Sequence, residues 1–303
     1  MIISTVLGKI ISIFIIMFVG IICCKSGIID DDSKEKFSRL STQIVSPMVI
    51  FMSFQIDYDR QLLVHMGVLF GLAIVFFLMA IAISQIFLRE RNGYDIAVER
   101  FAVTYANFGY MGLPLAEALL GNMGVIYMAV FIAVYNLFVW SHGIMLLDGR
   151  GFQPKKLINP SMIALVLGLL CFIFQIKIPE SPAFAMNSIA AMNTPLAMIL
   201  SGAIVARIHF GKIFREARLF WVVLLRQIVS AGIFCGMLRF IPIEVSMKVI
   251  AAVAAACPVA SMTITLSIIY HRDSYYATEI FTVSTLLCII TLPLCLFIAG
   301  PGI

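Results

Sequence analysis

Ala106-Asn107-Phe108-Gly109-Tyr110-Met111-Gly112-Leu113-Pro114 reads as a helix that cannot remain one. Pro114 lacks an amide hydrogen and collides with the turn before it, and Gly109 and Gly112 weaken the helix further. The flanking residues are apolar enough for a membrane span. At that depth, backbone released from a helix is tolerated only where it lines a cavity within the protein. The segment is therefore expected to unwind, with Pro114 opening a second half-helix, a position proline favours. Ala256-Cys257-Pro258-Val259-Ala260-Ser261 repeats the pattern without a glycine.

Outward from these two breaks the chain is a series of apolar runs. It has 303 residues, 62% hydrophobic and 12% charged, against about 25% charged in a soluble domain. One spanning helix takes about 20 apolar residues. Ten runs of that kind fit, at about 5–24, 38–56, 63–87, 100–120, 124–147, 160–177, 183–206, 218–239, 246–270 and 276–298. The expected fold is an all-α membrane protein, a single transmembrane domain over 1–303 with no room for a soluble one. The first run has no basic segment before it and no small-residue cleavage site after it, so it reads as a permanent helix rather than a signal peptide.

The basic residues segregate. Ten spans put fifteen of them, including Lys25, Lys34, Arg39, Arg89, Arg100, Arg150, Lys155, Lys156, Arg207, Lys212, Arg215, Arg218 and Arg272, in loops on one side. Four (Arg60, Lys177, Arg239 and Lys248) fall on the other, and Lys9 and Arg226 lie within spans. By the positive-inside rule both termini face away from the cytoplasm, with the chain in the cell membrane. The prolines also pair: Pro47 with Pro195 in spans two and seven, Pro114 with Pro258 in spans four and nine. The separations are alike, 67 residues in one half and 63 in the other. Two five-helix repeats result, about 1–148 and 159–300. Because five is odd, they enter the membrane from opposite sides, the inverted symmetry of secondary transporters.

Inversion brings breaks four and nine together as crossed helices near mid-membrane, where half-helix N-termini favour an anion. Candidate substrate-binding residues are Asn107, Gly109, Pro114, Asn136, Pro258 and Ser261. A buried amide needs a partner, and Asn193 and Gln227 could serve either a substrate or another helix. Glu117, one turn past Pro114, could carry a proton if buried or simply reach interfacial water. Arg226, deep in span eight, could pair with a carboxylate, attract an anionic substrate, or snorkel toward the cytoplasm. His142 reads as interfacial.

Other functions find little support. There is no GxxxxGK[ST] loop for nucleotide-driven pumping, no HExxH for a metalloprotease and no arginine ladder for voltage sensing. No catalytic constellation, cofactor or metal site is evident, so an enzyme is not expected. A sensor would need a soluble output segment. The net charge of +5 is scattered rather than striped, which gives no nucleic-acid partner. The seven cysteines fall inside spans and read as small apolar packers.

The run Asn107 to Pro114, Tyr135-Asn136, Ile158-Asn159-Pro160 opening the second repeat, and the Pro258 segment together resemble the auxin efflux carrier (AEC/PIN-like) family, over essentially the whole chain. The resemblance implies ten helices in two inverted repeats and a scaffold part and a transport part that move in an elevator-like cycle. It also implies that asparagines matching Asn107 and Asn136 hold a substrate carboxylate, and bacterial members look like carriers of malate- or malonate-like acids. This chain lacks the long central loop of the plant carriers and has Glu117 where they carry a basic residue. Auxin itself and the plant coupling mode are therefore not implied. The expected function is a secondary active or potential-driven transporter of a small organic carboxylate. A cation-coupled symporter or ion antiporter of related crossed-helix fold is the alternative. Its partners are the small anion and the lipid bilayer. Oligomeric state stays open, a homodimer included.

Overall fold

In the computed structural model, residues 2–148, 158–206 and 216–300 are described, with the backbone alone for residues 2–7, 9 and 10. Among these the chain is helical throughout and forms no strand. Arg150, Lys155, Lys156, Arg207, Lys212, Arg215 and the Lys9 side chain lie outside the described residues.

Five stretches are long and apolar enough to cross a membrane: Arg60–Phe87, Phe108–Asp148, Glu180–Val205, Ala217–Phe240 and Ser274–Ala299. Shorter apolar helices cover Ile11–Lys25, Pro160–Phe174 and Val245–Ala256. Phe108–Asp148 runs to 41 residues, but it is not one rod. Gly121 has φ 58° and ψ −140°, a conformation that L side chains rarely adopt. Beyond it the chain doubles back, so that a Cβ added to Gly124 would stand 2.1 Å from the Ala116 carbonyl oxygen. Eight residues along an unbroken helix would be about 12 Å apart. The stretch is two segments joined at a glycine reversal.

The chain divides into two compact units. The first comprises Met1–Leu69, Gly109–Ala133 and Lys155–Ala206, and the second Phe70–Phe108, Val134–Pro154 and Arg207–Ile303.

In the first unit, the helix Ile2–Lys25 packs on Asn193–Val205. The two backbones nearly touch. A Cβ on Gly20 would come 2.1 Å from the Ile199 carbonyl oxygen, and one on Gly202 would come 1.9 Å from that of Met17. Dispersion between closely approaching backbones drives such crossings in lipid, where burial alone gives no advantage. The helix Ser46–Ser53 packs on Pro160–Phe174, where Gly168 makes room for the Phe54 ring rather than for a backbone. Ahead of it, residues Ser41–Val45 form a π turn. Pro47 would clash with a carbonyl one α-turn earlier, and the wider turn relieves that clash. Outside the membrane-spanning part, Asp30 caps Asp31–Leu40 by accepting the Ser33 N–H at 2.8 Å. The Ser33 hydroxyl and amide together hold the Asp30 carboxyl below the ordinary carboxylate range.

In the second unit, Val245–Ala256 and Ala231–Phe240 pack on the long helix Ser274–Ala299. A buried ion pair ties three helix starts together. Glu99, 0% exposed, accepts two bonds from Arg218, from Nε at 2.8 Å and Nη2 at 2.6 Å. It accepts a third from the Tyr276 hydroxyl at 3.0 Å. A fork of this kind is the geometry in which arginine holds a carboxylate best. Arg218 is one of the residues assigned from sequence to a basic loop, and its charge is spent inside the protein on Glu99. Nearby, Tyr94 donates to Glu216 at 2.7 Å, which raises the Tyr94 hydroxyl above its usual range.

Candidate functional site: a backbone crossing at two helix breaks

Two helix interruptions meet in the second unit. The helix Ile96–Thr104 ends with Tyr105 extended, and Val245–Ala256 ends at Cys257, also extended. Between them, Ala106 and Val259 form an isolated antiparallel bridge. The Asn107 N–H donates to the Pro258 carbonyl at 2.8 Å, and the Ala260 N–H donates to the Tyr105 carbonyl at 3.0 Å. These two bonds flank Ala106 and Val259, whose own amides must then point outward from the pairing. Their surroundings differ. The Val259 N–H donates to Ser284 Oγ at 3.1 Å, whereas the Ala106 N–H meets no acceptor among the described residues. Ala106 itself is 1% exposed. A buried orphan donor costs about 1–3 kcal/mol, so this is a place where an acceptor would be welcome.

The unwinding is narrower than the sequence suggests. Only Tyr105–Asn107 leaves the helix, while Phe108–Gly112, glycines included, coils as a π turn and leads into the helix from Leu113. Pro114 is therefore the second residue of that helix and is buried. The wider turn lets the chain pass Pro114 without the carbonyl collision that an α-turn would bring.

Aromatic rings wall the first break. Phe77 stacks on Phe138 with centroids 5.1 Å apart and meets Tyr105, Phe108 and Tyr135 at about 6 Å. Asn107 is 4% and Asn136 9% exposed, and both belong to this unit, as do Pro258 and the half-buried Ser261. Tyr105 donates to the Phe138 carbonyl at 2.9 Å and also lies 2.9 Å from His142 Nδ1. A hydroxyl has one proton to give, so His142 Nδ1 is the donor in the second contact. His142, read from sequence as interfacial, is tied to the crossing.

The remaining candidates sort by unit. Gly109 and Pro114 fall in the first, together with Glu117 and Asn193. Glu117 is half-buried and accepts from Thr194 Oγ1 at 3.1 Å and from Asn193 Nδ2 at 3.4 Å. Asn193 Oδ1 in turn accepts from Ser46 Oγ at 3.2 Å. Arg226 and Gln227 lie in the second unit on the π turn Leu225–Ser230. Arg226 does not snorkel: it is 0% exposed, donates from Nη2 to the Cys257 carbonyl at 2.9 Å and sits 5.2 Å over the Phe76 ring. Gln227 donates to the Ser284 carbonyl at 2.8 Å. Sequence reading missed Ser284, Thr194 and Glu99. Hydroxyls are too common in helices to stand out, and Glu99 beside Arg100 looks like an ordinary loop flank.

Five apolar helices of spanning length and two broken helices that meet in one unit describe a membrane-embedded helical protein. The comparison with known families agrees. A family model described as membrane transport protein matches residues 5–156, and the chain belongs to that AEC/PIN-like family of membrane transporters. No curated protein matches the chain.

Proposed function

We propose that this chain is a secondary carrier of a small organic carboxylate, malate- or malonate-like, held at the crossing. The carrying observation is the buried, acceptorless Ala106 N–H between Tyr105 and Asn107. A carboxylate oxygen there would accept that amide, with the Asn107 and Asn136 side chains donating to the rest of the anion. Hydrogen bonds to a charged group are worth about 1.5–3 kcal/mol each, enough to offset part of the dehydration of the anion. The remaining architecture of this reading is ten crossings in two inverted repeats, 1–148 and 159–300. The chain would sit in the cell membrane with both termini outside the cytoplasm and work by an elevator-like cycle, driven by a coupled ion or by the membrane potential. Family membership and the two interrupted helices support it. The test is uptake of labelled dicarboxylates into proteoliposomes. Asn107→Ala is expected to lower affinity about tenfold or more, and unchanged uptake would remove the site assignment.

A second reading, a cation-coupled symporter or antiporter, has its own observation. Glu117 is bonded only by neutral donors, Asn193 and Thr194, and no cationic side chain lies within 4 Å of it among the described residues. A carboxylate so placed could take a proton or a sodium ion in each cycle. Uptake by Glu117→Gln that keeps the wild-type dependence on pH and sodium would eliminate this reading.

A further inference from the structure

Arg226 is a full positive charge at 0% exposure, and no carboxylate lies within 4 Å of it among the described residues. An anion-transporting chain invites the view that this charge receives the substrate. The bonds around the second break indicate another role. We propose that Arg226 is a positioning residue: its guanidinium holds the Cys257–Ala260 segment in register against Tyr105–Asn107 and does not touch the transported anion. This rests on the reading that a carboxylate binds at the crossing.

The helix Val245–Ala256 must stop somewhere, and its last carbonyls then lack intrahelical donors. Pro258, with no N–H, cannot supply one. These carbonyls also carry the negative end of the helix dipole, where a cation is stabilising. Arg226 Nη2 meets this need at the Cys257 carbonyl, 2.9 Å away. Cys288 Sγ lies 3.5 Å from the Ala256 carbonyl as its donor. Two residues beyond Cys257, Ser284 Oγ accepts the Val259 N–H, and Gln227, the neighbour of Arg226, fixes the same turn through the Ser284 carbonyl. The outer flank of this segment is thus fastened to the π turn Leu225–Ser230 and to the helix Ser274–Ala299. Its inner edge is left to pair with Tyr105 and Asn107. Phe76, under the guanidinium, offers a negative ring face in place of a counter-ion.

The two breaks are therefore not equivalent. The second is fastened from outside, while the first keeps its Ala106 N–H open. Arg226 builds the fixed half, and the ligand belongs on the other.

Two features of Arg226 favour the rival view, since Nε and Nη1 have no acceptor. The experiment separates the two. Amide hydrogen exchange is measured on the full-length protein in detergent without ligand, and malonate affinity is measured by calorimetry. The proteins are wild type, R226M, R226K, N107A and the double variant N107A/R226M. A positioning role predicts about tenfold faster exchange at Asn107, Val259 and Ala260 in R226M, with partial recovery in R226K. It also predicts that R226M weakens malonate binding in the wild-type background and adds a smaller loss in N107A, because Asn107 is one of the groups that a lost register displaces. Unchanged exchange in R226M with malonate binding lost, or losses that simply multiply in the double variant, would overturn the proposal in favour of direct contact. Should R226M not fold, S284A takes its place: it removes the Val259 acceptor, and unchanged exchange in both S284A and R226K overturns the proposal equally. Wild-type protein that binds no carboxylate would defeat the transport reading, while the exchange data would still decide what Arg226 does.

Discussion

Glu99 shows how much a single side chain carries in this protein. Its carboxylate is wholly buried and holds Arg218 and Tyr276 at once. Glu99→Gln would leave a guanidinium without its counter-charge, at a cost of about 3 kcal/mol. Tyr276→Phe would remove one hydrogen bond, at about 1 kcal/mol. Thermal melts in detergent should rank the two in that order, and equal melting shifts would mean that Arg218 finds water instead. At the same scale, Asn136→Ala should weaken carboxylate binding, read as a higher Kd for malonate. Little of this was legible beforehand. Asn107, Asn136 and Pro258 stood out because an amide or an imide is conspicuous in an apolar run. Ser284 and Glu99 did not, since their importance comes from partners 25 and 119 residues away, which no local pattern reveals.

The elements are shaped by where backbones must approach or separate. Gly202→Val would drive a side chain into the Met17 carbonyl, within the 1.9 Å that even a Cβ cannot occupy. The helices Ile2–Lys25 and Asn193–Val205 would have to part, with a loss of about 1–3 kcal/mol or more, seen as a lower melting temperature. Gly71, where an added Cβ meets nothing within 4 Å, is the matched control. The helix Asp31–Leu40 should respond to pH. Asp30 is held below its ordinary range by Ser33, so its cap is complete above the unfolded carboxylate pKa and is lost as pH falls through the lowered one. A falling protection factor at the Ser33 amide on acidification, taken against the intrinsic rate at each pH, would report it, and Asp30→Asn should flatten the response. Pro258 lies inside the second interruption, so its effect on the helix there is local. The first was legible only as a region: Pro114 and the two glycines fall just past Tyr105–Asn107, and the π turn Phe108–Gly112 absorbs them. The π turn Leu225–Ser230 contains neither proline nor glycine and was not legible.

For the whole molecule, the two compact units interleave three chain segments each, a division that hydropathy cannot show because every segment is apolar. The orientation expected from the basic residues can be tested directly. Reporter fusions at residue 303 should be active only when the reporter works outside the cytoplasm, and the reverse result would invert the expected topology. The buried arginine, finally, bears on how the protein is made. A lone arginine at a helix centre opposes membrane insertion by about 2.5–3.5 kcal/mol. Its carbonyl partner, Cys257, lies 31 residues downstream, and synthesis at about 5–20 residues per second delays it by seconds. During that interval Ala217–Phe240 has every reason to linger at the translocon or the membrane surface. It should enter the bilayer only alongside the helix that follows. Chains truncated at residue 240 are accordingly expected to leave Cys235, within this segment, open to a water-soluble thiol reagent, and chains truncated past residue 290 to shield it.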